Sequence, residues 1–307
     1  MGKSQLENRY KNQNIAKEEL ERMNLLLIRE QEILMHMEAL ANRVLYSDIA
    51  GGAGGTSTNT YFTGNNVFVD DFLRAQVSPG GSPSVAYTST ITGLGQISIG
   101  AARTLRLRAD TTGTSGRLYA MSNYTLVGNP NFNSKLNLNP TPVSWAVNVR
   151  NNVPTILDGF GPGQFGQAVI LASSGTNVLT DGSGYALVYG GSGTRQWRLV
   201  SFTGGLQANA NITTILSTHN SPGFGDLDYL SLNVSYNPST GLWSLYFRND
   251  GDAWVDPRVT AGYSSPVTGA NSAFTNVSLN SFGYFYNFGP TLVTANALFD
   301  NFDVYYS

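Results

Sequence analysis

Leu232-Asn233-Val234-Ser235-Tyr236-Asn237-Pro238-Ser239-Thr240-Gly241-Leu242-Trp243-Ser244-Leu245-Tyr246-Phe247 alternates apolar and polar residues on both sides of a turn. Successive side chains of a strand point to opposite sides, so Leu232, Val234 and Tyr236 share one face. Asn237 through Gly241 supply turn chemistry, with Pro fixing φ and Gly free to take positive φ. Trp243, Leu245 and Phe247 then resume the alternation. The two halves predict an antiparallel hairpin with both apolar faces toward one core.

Working outward, the same period appears in residues 144–150, where Trp145, Val147 and Val149 oppose Ser144, Ala146, Asn148 and Arg150. Further strands are expected at Thr104–Arg108, Gln167–Ala172, Tyr185–Tyr189, Gln196–Phe202, Ser281–Tyr286 and Ala297–Tyr305. Turn-rich segments separate them, and no comparably long helical pattern intervenes. The expected fold is mainly β, an antiparallel jelly-roll sandwich over residues 66–307.

The N-terminal region has different chemistry. All seven Glu lie between Glu7 and Glu38, and beyond them the only Lys is Lys135. Residues 15–46 predict a helix in which Leu20, Leu27, Leu34 and Ala41 recur every seven residues. Leu26, Ile33 and Leu40 form a second row; Met23, Met37 and Val44 form a third, interrupted by Glu30. Three adjacent rows make a stripe wider than a dimer seam, which favours three or more strands or packing on another protein. Residues 1–49 are therefore expected to assemble a homo-oligomer, a trimer on the row count, or to dock on another particle protein. Residues 50–65, with Gly51-Gly52-Ala53-Gly54-Gly55, have the composition of a flexible linker.

Composition excludes several functions. A hydrophobic share of 41% supports a substantial core, and a net charge of −2 gives no basic face for nucleic acid. With no cysteine, disulfides, thiolate metal sites and Cys nucleophiles are ruled out. No apolar run reaches about 18 residues, so no membrane insertion is expected. Met1-Gly2-Lys3-Ser4-Gln5 leads into charged helix rather than an apolar signal core, so release by a route other than ordinary secretion is expected.

Four segments carry a family resemblance: Val69-Asp70-Asp71-Phe72-Leu73-Arg74, residues 184–193 (GYALVYGGSG), residues 198–206 (RLVSFTGGL) and Asp300-Asn301-Phe302-Asp303-Val304-Tyr305. Together they resemble the concanavalin A-like, lectin-type sandwich modules of surface proteins in Bacteroidota. The resemblance implies that the first and last strands lie side by side. The helix ahead of the sandwich is not part of such modules and resembles phage fibre proteins instead.

Glycan sites set aromatic faces against sugar C–H surfaces and use Asp, Asn and Arg for the hydroxyls. The loop Asn249–Arg258 combines these types, making Asp250, Asp252, Trp254, Asp256 and Arg258 the candidate ligand residues. The competing reading is a turn in which Asp250 and Asp252 bond their own backbone while Trp254 packs inward. Asp70, Asp71, Asp300 and Asp303, with Asn301, would approach one another if the end strands pair, and could hold a structural calcium. Alternation sends neighbouring strand residues to opposite faces, so not all of them converge. No other cofactor is expected. Catalysis is not expected either: related glucanases use two Glu on one strand, and the sandwich has none. Asp226 and Asp228 do place two carboxyls on one strand face, though they read more simply as loop-edge residues, and His219 is the only His there for a triad.

The expected function is thus a non-enzymatic, virion-associated fibre or decoration subunit, extracellular or on the virion surface, that presents its sandwich to cell-surface glycan. A bacterial surface adhesin module, a purely structural particle protein and a polysaccharide hydrolase are the alternatives.

Overall fold

The computed structural model describes residues 62, 64–72, 85–100, 104–109, 115–126, 132–151, 158–193, 196–218, 227–290 and 296–307. All belong to the compact unit Asn59–Ser307. The expected helix at 15–46, with its oligomerisation residues, lies outside them, as do nearly all of 50–65 and Leu73, Arg74, His219 and Asp226.

Among the described residues the strands are β1 (Asn65–Asp70), β2 (Thr88–Thr92), β3 (Gly95–Ile99), β4 (Leu105–Ala109), β5 (Gly116–Asn123), β6 (Val143–Asn151), β7 (Gly166–Ser173), β8 (Ser183–Tyr189), β9 (Trp197–Thr203), β10 (Ile212–Ser217), β11 (Tyr229–Asn237), β12 (Leu242–Gly251), β13 (Val267–Ala270), β14 (Ser281–Phe288) and β15 (Asn296–Tyr306). They form two antiparallel sheets. One runs β13-β12-β11-β6-β15-β4-β3, with β1 also on β15; the other runs β10-β9-β8-β7-β14-β5-β2. The chain is a mainly β, two-sheet sandwich.

The hairpin forms as read: Leu232 faces Phe247, Val234 faces Leu245, and Tyr236 faces Trp243. The implied neighbourhood of the ends also forms, with Phe68 opposite Val304 and Asp70 opposite Phe302. β15 has β6 along one side, while β1 and β4 share the other, β4 pairing from Asn296 to Phe299. Where the two meet, three steps on β15 from Asp300 to Asp303 span two on β6, a bulge with Asn301 at φ 46°. Asn tolerates that left-handed conformation better than most side chains.

Trp145, Val147, Val149, Leu232, Val234, Trp243 and Leu245 fill the space between the sheets. A second apolar cluster sits behind the seven-stranded sheet, where Phe160, Val178 and Leu206 from loops cover Ile170, Val188, Val200 and Phe285. The central strands β7, β8 and β14 are therefore buried on both faces, while the edge strands β2 and β10 stay partly exposed. The aromatic run Tyr284-Phe285-Tyr286 is fully buried: Tyr284 and Tyr286 enter the first cluster and Phe285 the second.

The eight-stranded sheet solves its outer face differently. Register aligns Asp300, Asn148, Ser231 and Arg248 in one row across four strands. All four are buried, and Asn148, Ser231 and Arg248 bond the segment that folds back over them, from Val255 to Ala261. Buried polar groups need partners; those three find theirs partly in the covering segment, whereas Asp300 accepts the N–H of Asn301.

Candidate functional site

Arg248 organises that cover. Its Nε donates to Asp250 Oδ1 at 2.6 Å, and both side chains are buried. Nη2 donates to Ser231 Oγ at 2.8 Å and to the carbonyls of Val255 and Asp256, while Nη1 donates to those of Val259 and Ala261. Asp250 also accepts from the Ser231 hydroxyl at 2.7 Å and from the Val255 N–H and Asn148 Nδ2 at 3.3 Å. Burial pushes the Asp250 carboxyl up, against the pull of Ser231, Arg248 and the Val255 amide. With its oxygens taken by these donors, Asp250 is a structural anchor of the loop and does not face a ligand.

Arg258 is committed as well. Its Nε and Nη2 donate to the Phe62 carbonyl at 3.1 and 2.7 Å, and its guanidinium lies 4.1 Å from the Tyr305 ring centroid. The Phe62 N–H returns a bond to the Arg258 carbonyl, and the Phe62 ring packs edge-on against Tyr246 and Tyr263. Arg258 thus fastens the segment that leads into β1. Asp256 is exposed, with Oδ1 accepting the Arg258 N–H at 2.8 Å.

Trp254 and Asp252 remain outward. Trp254 is half-buried and meets Tyr229 edge-on at 4.5 Å between centroids. The Arg150 guanidinium lies 4.4 Å from the Tyr229 centroid, oriented by an Nε bond to the Leu227 carbonyl at 2.8 Å. Asn249, exposed and opposite core residue Leu230, points to the other face of β12 and donates to Asp228 Oδ2 at 2.6 Å there. Leu227 and Val255 add apolar surface at 42% and 39% exposure. The result is an aromatic ledge with a cation, and with exposed Asp252 two residues before Trp254. Its chemistry is that of a shallow polar–aromatic binding surface. Tyr229 and Arg150 come from different strands, so the loop Asn249–Arg258 alone does not announce them. Asp228, half of the spaced carboxyl pair, is a hydrogen-bond acceptor for Asn249.

The expected calcium site does not assemble. Among the described residues no group of three or more His, Cys, Asp or Glu is placed to hold a metal ion. The reason is alternation broken by the bulge. Asp70 pairs opposite core residue Phe302, accepting the Tyr87 hydroxyl at 2.7 Å and the Phe72 N–H at 3.1 Å. Asp303 lies opposite Val69 and Ala146 on the other face, and Asp300 caps the Asn301 N–H at 3.0 Å. Asp70, Asp71, Asp300 and Asp303 are near enough to repel without forming a ligand cage.

That repulsion has a measurable consequence. Burial first, then Asp71, Asp70 and Asp303, hold the Asp300 carboxyl well above the usual range, opposed by the Asn301 N–H. A folded-state pKa above the unfolded one stabilises the fold fully at acidic pH, and the contribution is lost as pH rises through the raised value. Asp300→Asn keeps the acceptor and removes the charge, so its melting temperature should exceed wild type at pH 7. The gain should vanish near about pH 4, where the unfolded carboxyl protonates. Melting across that range checks it, and no gain at pH 7 refutes it.

No protein-family model and no curated protein matches the chain. Among solved structures it is similar to lectin II from Ulex europaeus, at 10% identity over 78% of this chain and 97% of that one, with a TM-score of 0.48. The Lotus tetragonolobus seed lectin gives 10% identity, the same coverages and a TM-score of 0.49. The exoplasmic/lumenal domain of VIP36 in a Ca2+-bound form gives 11% identity over 76% and 88%, with a TM-score of 0.45. At this similarity the fold rests on the chain's own sheets, and neither sugar nor calcium carries over from those proteins.

Proposed function

We propose that this chain is a non-enzymatic recognition subunit of a virion-surface fibre or decoration, which binds cell-surface glycan through its sandwich. The observation that carries the binding role is the ledge of Trp254, Tyr229 and Arg150, with exposed Asp252 two residues before Trp254. An aromatic edge and face, a guanidinium and a carboxylate suit sugar C–H surfaces and hydroxyls. The heptad rows at 20–44 support assembly, and several weak sites on one stalk gain avidity through effective concentration. The sandwich's lack of Glu supports binding over hydrolysis.

The test is glycan binding by the full chain beside Trp254→Ala, with sedimentation to read the oligomer. Trp254→Ala should weaken binding by at least about tenfold, the scale of a truncated aromatic anchor, while melting shows a retained fold. Equal binding by both proteins would remove the ledge as the site. A monomer in sedimentation would remove the stalk.

A further inference from the structure

Arg117 on β5 points to the outer face of the seven-stranded sheet, opposite the Trp254 ledge, and is half-buried. Its Nε donates to Asn287 Oδ1 at 3.2 Å; its Nη2 donates to the carbonyls of Phe160 at 3.3 Å and Gln207 at 3.2 Å. Asn287, only 1% exposed, is itself fixed by Nδ2 bonds to the carbonyls of Gly159, Gly161 and Gln164. Three elements therefore hold the guanidinium in place, all with neutral acceptors. Among the described residues Nη1 has no acceptor and Arg117 has no ion-pair partner.

Arg117 also lines a cleft of about 180 Å³ with Thr92, Ser115, Pro162, Gly163 and Asn287, and among the described residues no carboxylate lines it. Burial lowers the Arg117 pKa, and no acidic neighbour among the described residues offsets it. A partly desolvated cation without a counter-charge favours an arriving anion, and a guanidinium fixed beforehand loses little freedom on binding it. Pockets for drug-sized ligands span roughly 300–1,000 Å³, so this smaller cleft takes one compact group rather than an extended chain.

We propose that this cleft is an anion subsite that accepts a single carboxylate of an acidic sugar, or an inorganic oxyanion of similar size, on Arg117. It stands independently of the Trp254 ledge, and the test keeps the two apart by using Trp254→Ala as the parent chain. Calorimetry would follow glucuronate, glucose and inorganic phosphate. Glucuronate should bind more tightly than glucose and weaken at least tenfold in Arg117→Gln. Ser115→Asp places a competing carboxylate at the exposed lip without touching the Arg117 contacts, and should weaken binding similarly if Arg117→Gln fails to fold. Phosphate binding with the same losses, in the absence of glucuronate binding, would support the site with an inorganic occupant. No binding of either anion, or binding undiminished in both variants, overturns the proposal.

Discussion

Asp250→Ala is expected to destabilise the protein by about 3–5 kcal/mol, the scale for removing one partner of a buried ion pair. The loss is not the worth of the pair. It is the cost of leaving Arg248 buried with its Nε facing nothing, while Ser231, Asn148 and the Val255 amide lose an acceptor. Arg248→Ala should do comparable damage, because its remaining donors reach four carbonyls of the covering segment. Urea denaturation of both singles and of the double variant Arg248→Met/Asp250→Leu distinguishes the causes. Replacing both charges with apolar groups should recover much of the loss. If each single variant falls by less than about 1 kcal/mol, as at exposed ion pairs, the row is not a sealed interior. The same segment carries Trp254, so loosening Arg248 should also blunt the ledge.

The second large effect belongs to Trp145, which is fully buried and stacks with Trp243 at 6.0 Å between centroids. Trp145→Ala should cost about 3–5 kcal/mol through lost transfer energy and a cavity. Tyr124→Phe tests a finer point. The Tyr124 hydroxyl accepts from Trp145 Nε1 at 2.9 Å and donates to the Leu171 carbonyl, so one oxygen joins β6 in one sheet to β7 in the other. Removing it leaves a buried donor and a buried acceptor without partners, about 1–3 kcal/mol each at most. Denaturation midpoints should fall below wild type in both variants, Tyr124→Phe doing so with almost no loss of packed volume. Wild-type stability in Tyr124→Phe would mean that water replaces the lost oxygen.

The sandwich is legible where one strand face is apolar and the other polar. Leu232–Phe247 is such a case, and residues 144–150 another; both pair as their alternation requires. β14 is legible as the expected strand Ser281–Tyr286, but β5 hides because both of its faces are covered: Leu118 and Ala120 enter the first apolar cluster and Tyr119 and Met121 the second, so period two disappears. An unbroken apolar run of strand length is itself a sign of two-sided burial, and it was available in the sequence. β2 and β13 hide for the opposite reason: both are edge strands of mixed exposure and short polar sequence.

The loop Asn249–Arg258 reads locally as a polar ligand loop, and only part of it is one. Asp250 and Arg258 acquire their partners from Ser231, Asn148 and Phe62, distant in sequence, once the loop folds over the sheet. The carboxyls at the ends of the sandwich mislead in the same way. Pairing of β1 with β15 brings them near, while the bulge at Asn301 and the commitment of Asp70 to Tyr87 keep them from one centre. Short-range pattern names residue types; fold-back decides which of them still meet solvent.

Phe62 and Arg258 define how tension on the N-terminal side would enter the sandwich. A pull arriving at Phe62 must peel an aromatic ring from between Tyr246 and Tyr263 and break the guanidinium's grip on its carbonyl before β1 feels the force. Because Arg258 rests on Tyr305 of β15, the pull spreads from the eight-stranded sheet's edge toward its middle rather than unzipping one strand. Tearing of the sandwich from its N-terminal side would have to begin by opening this ring-and-guanidinium clasp.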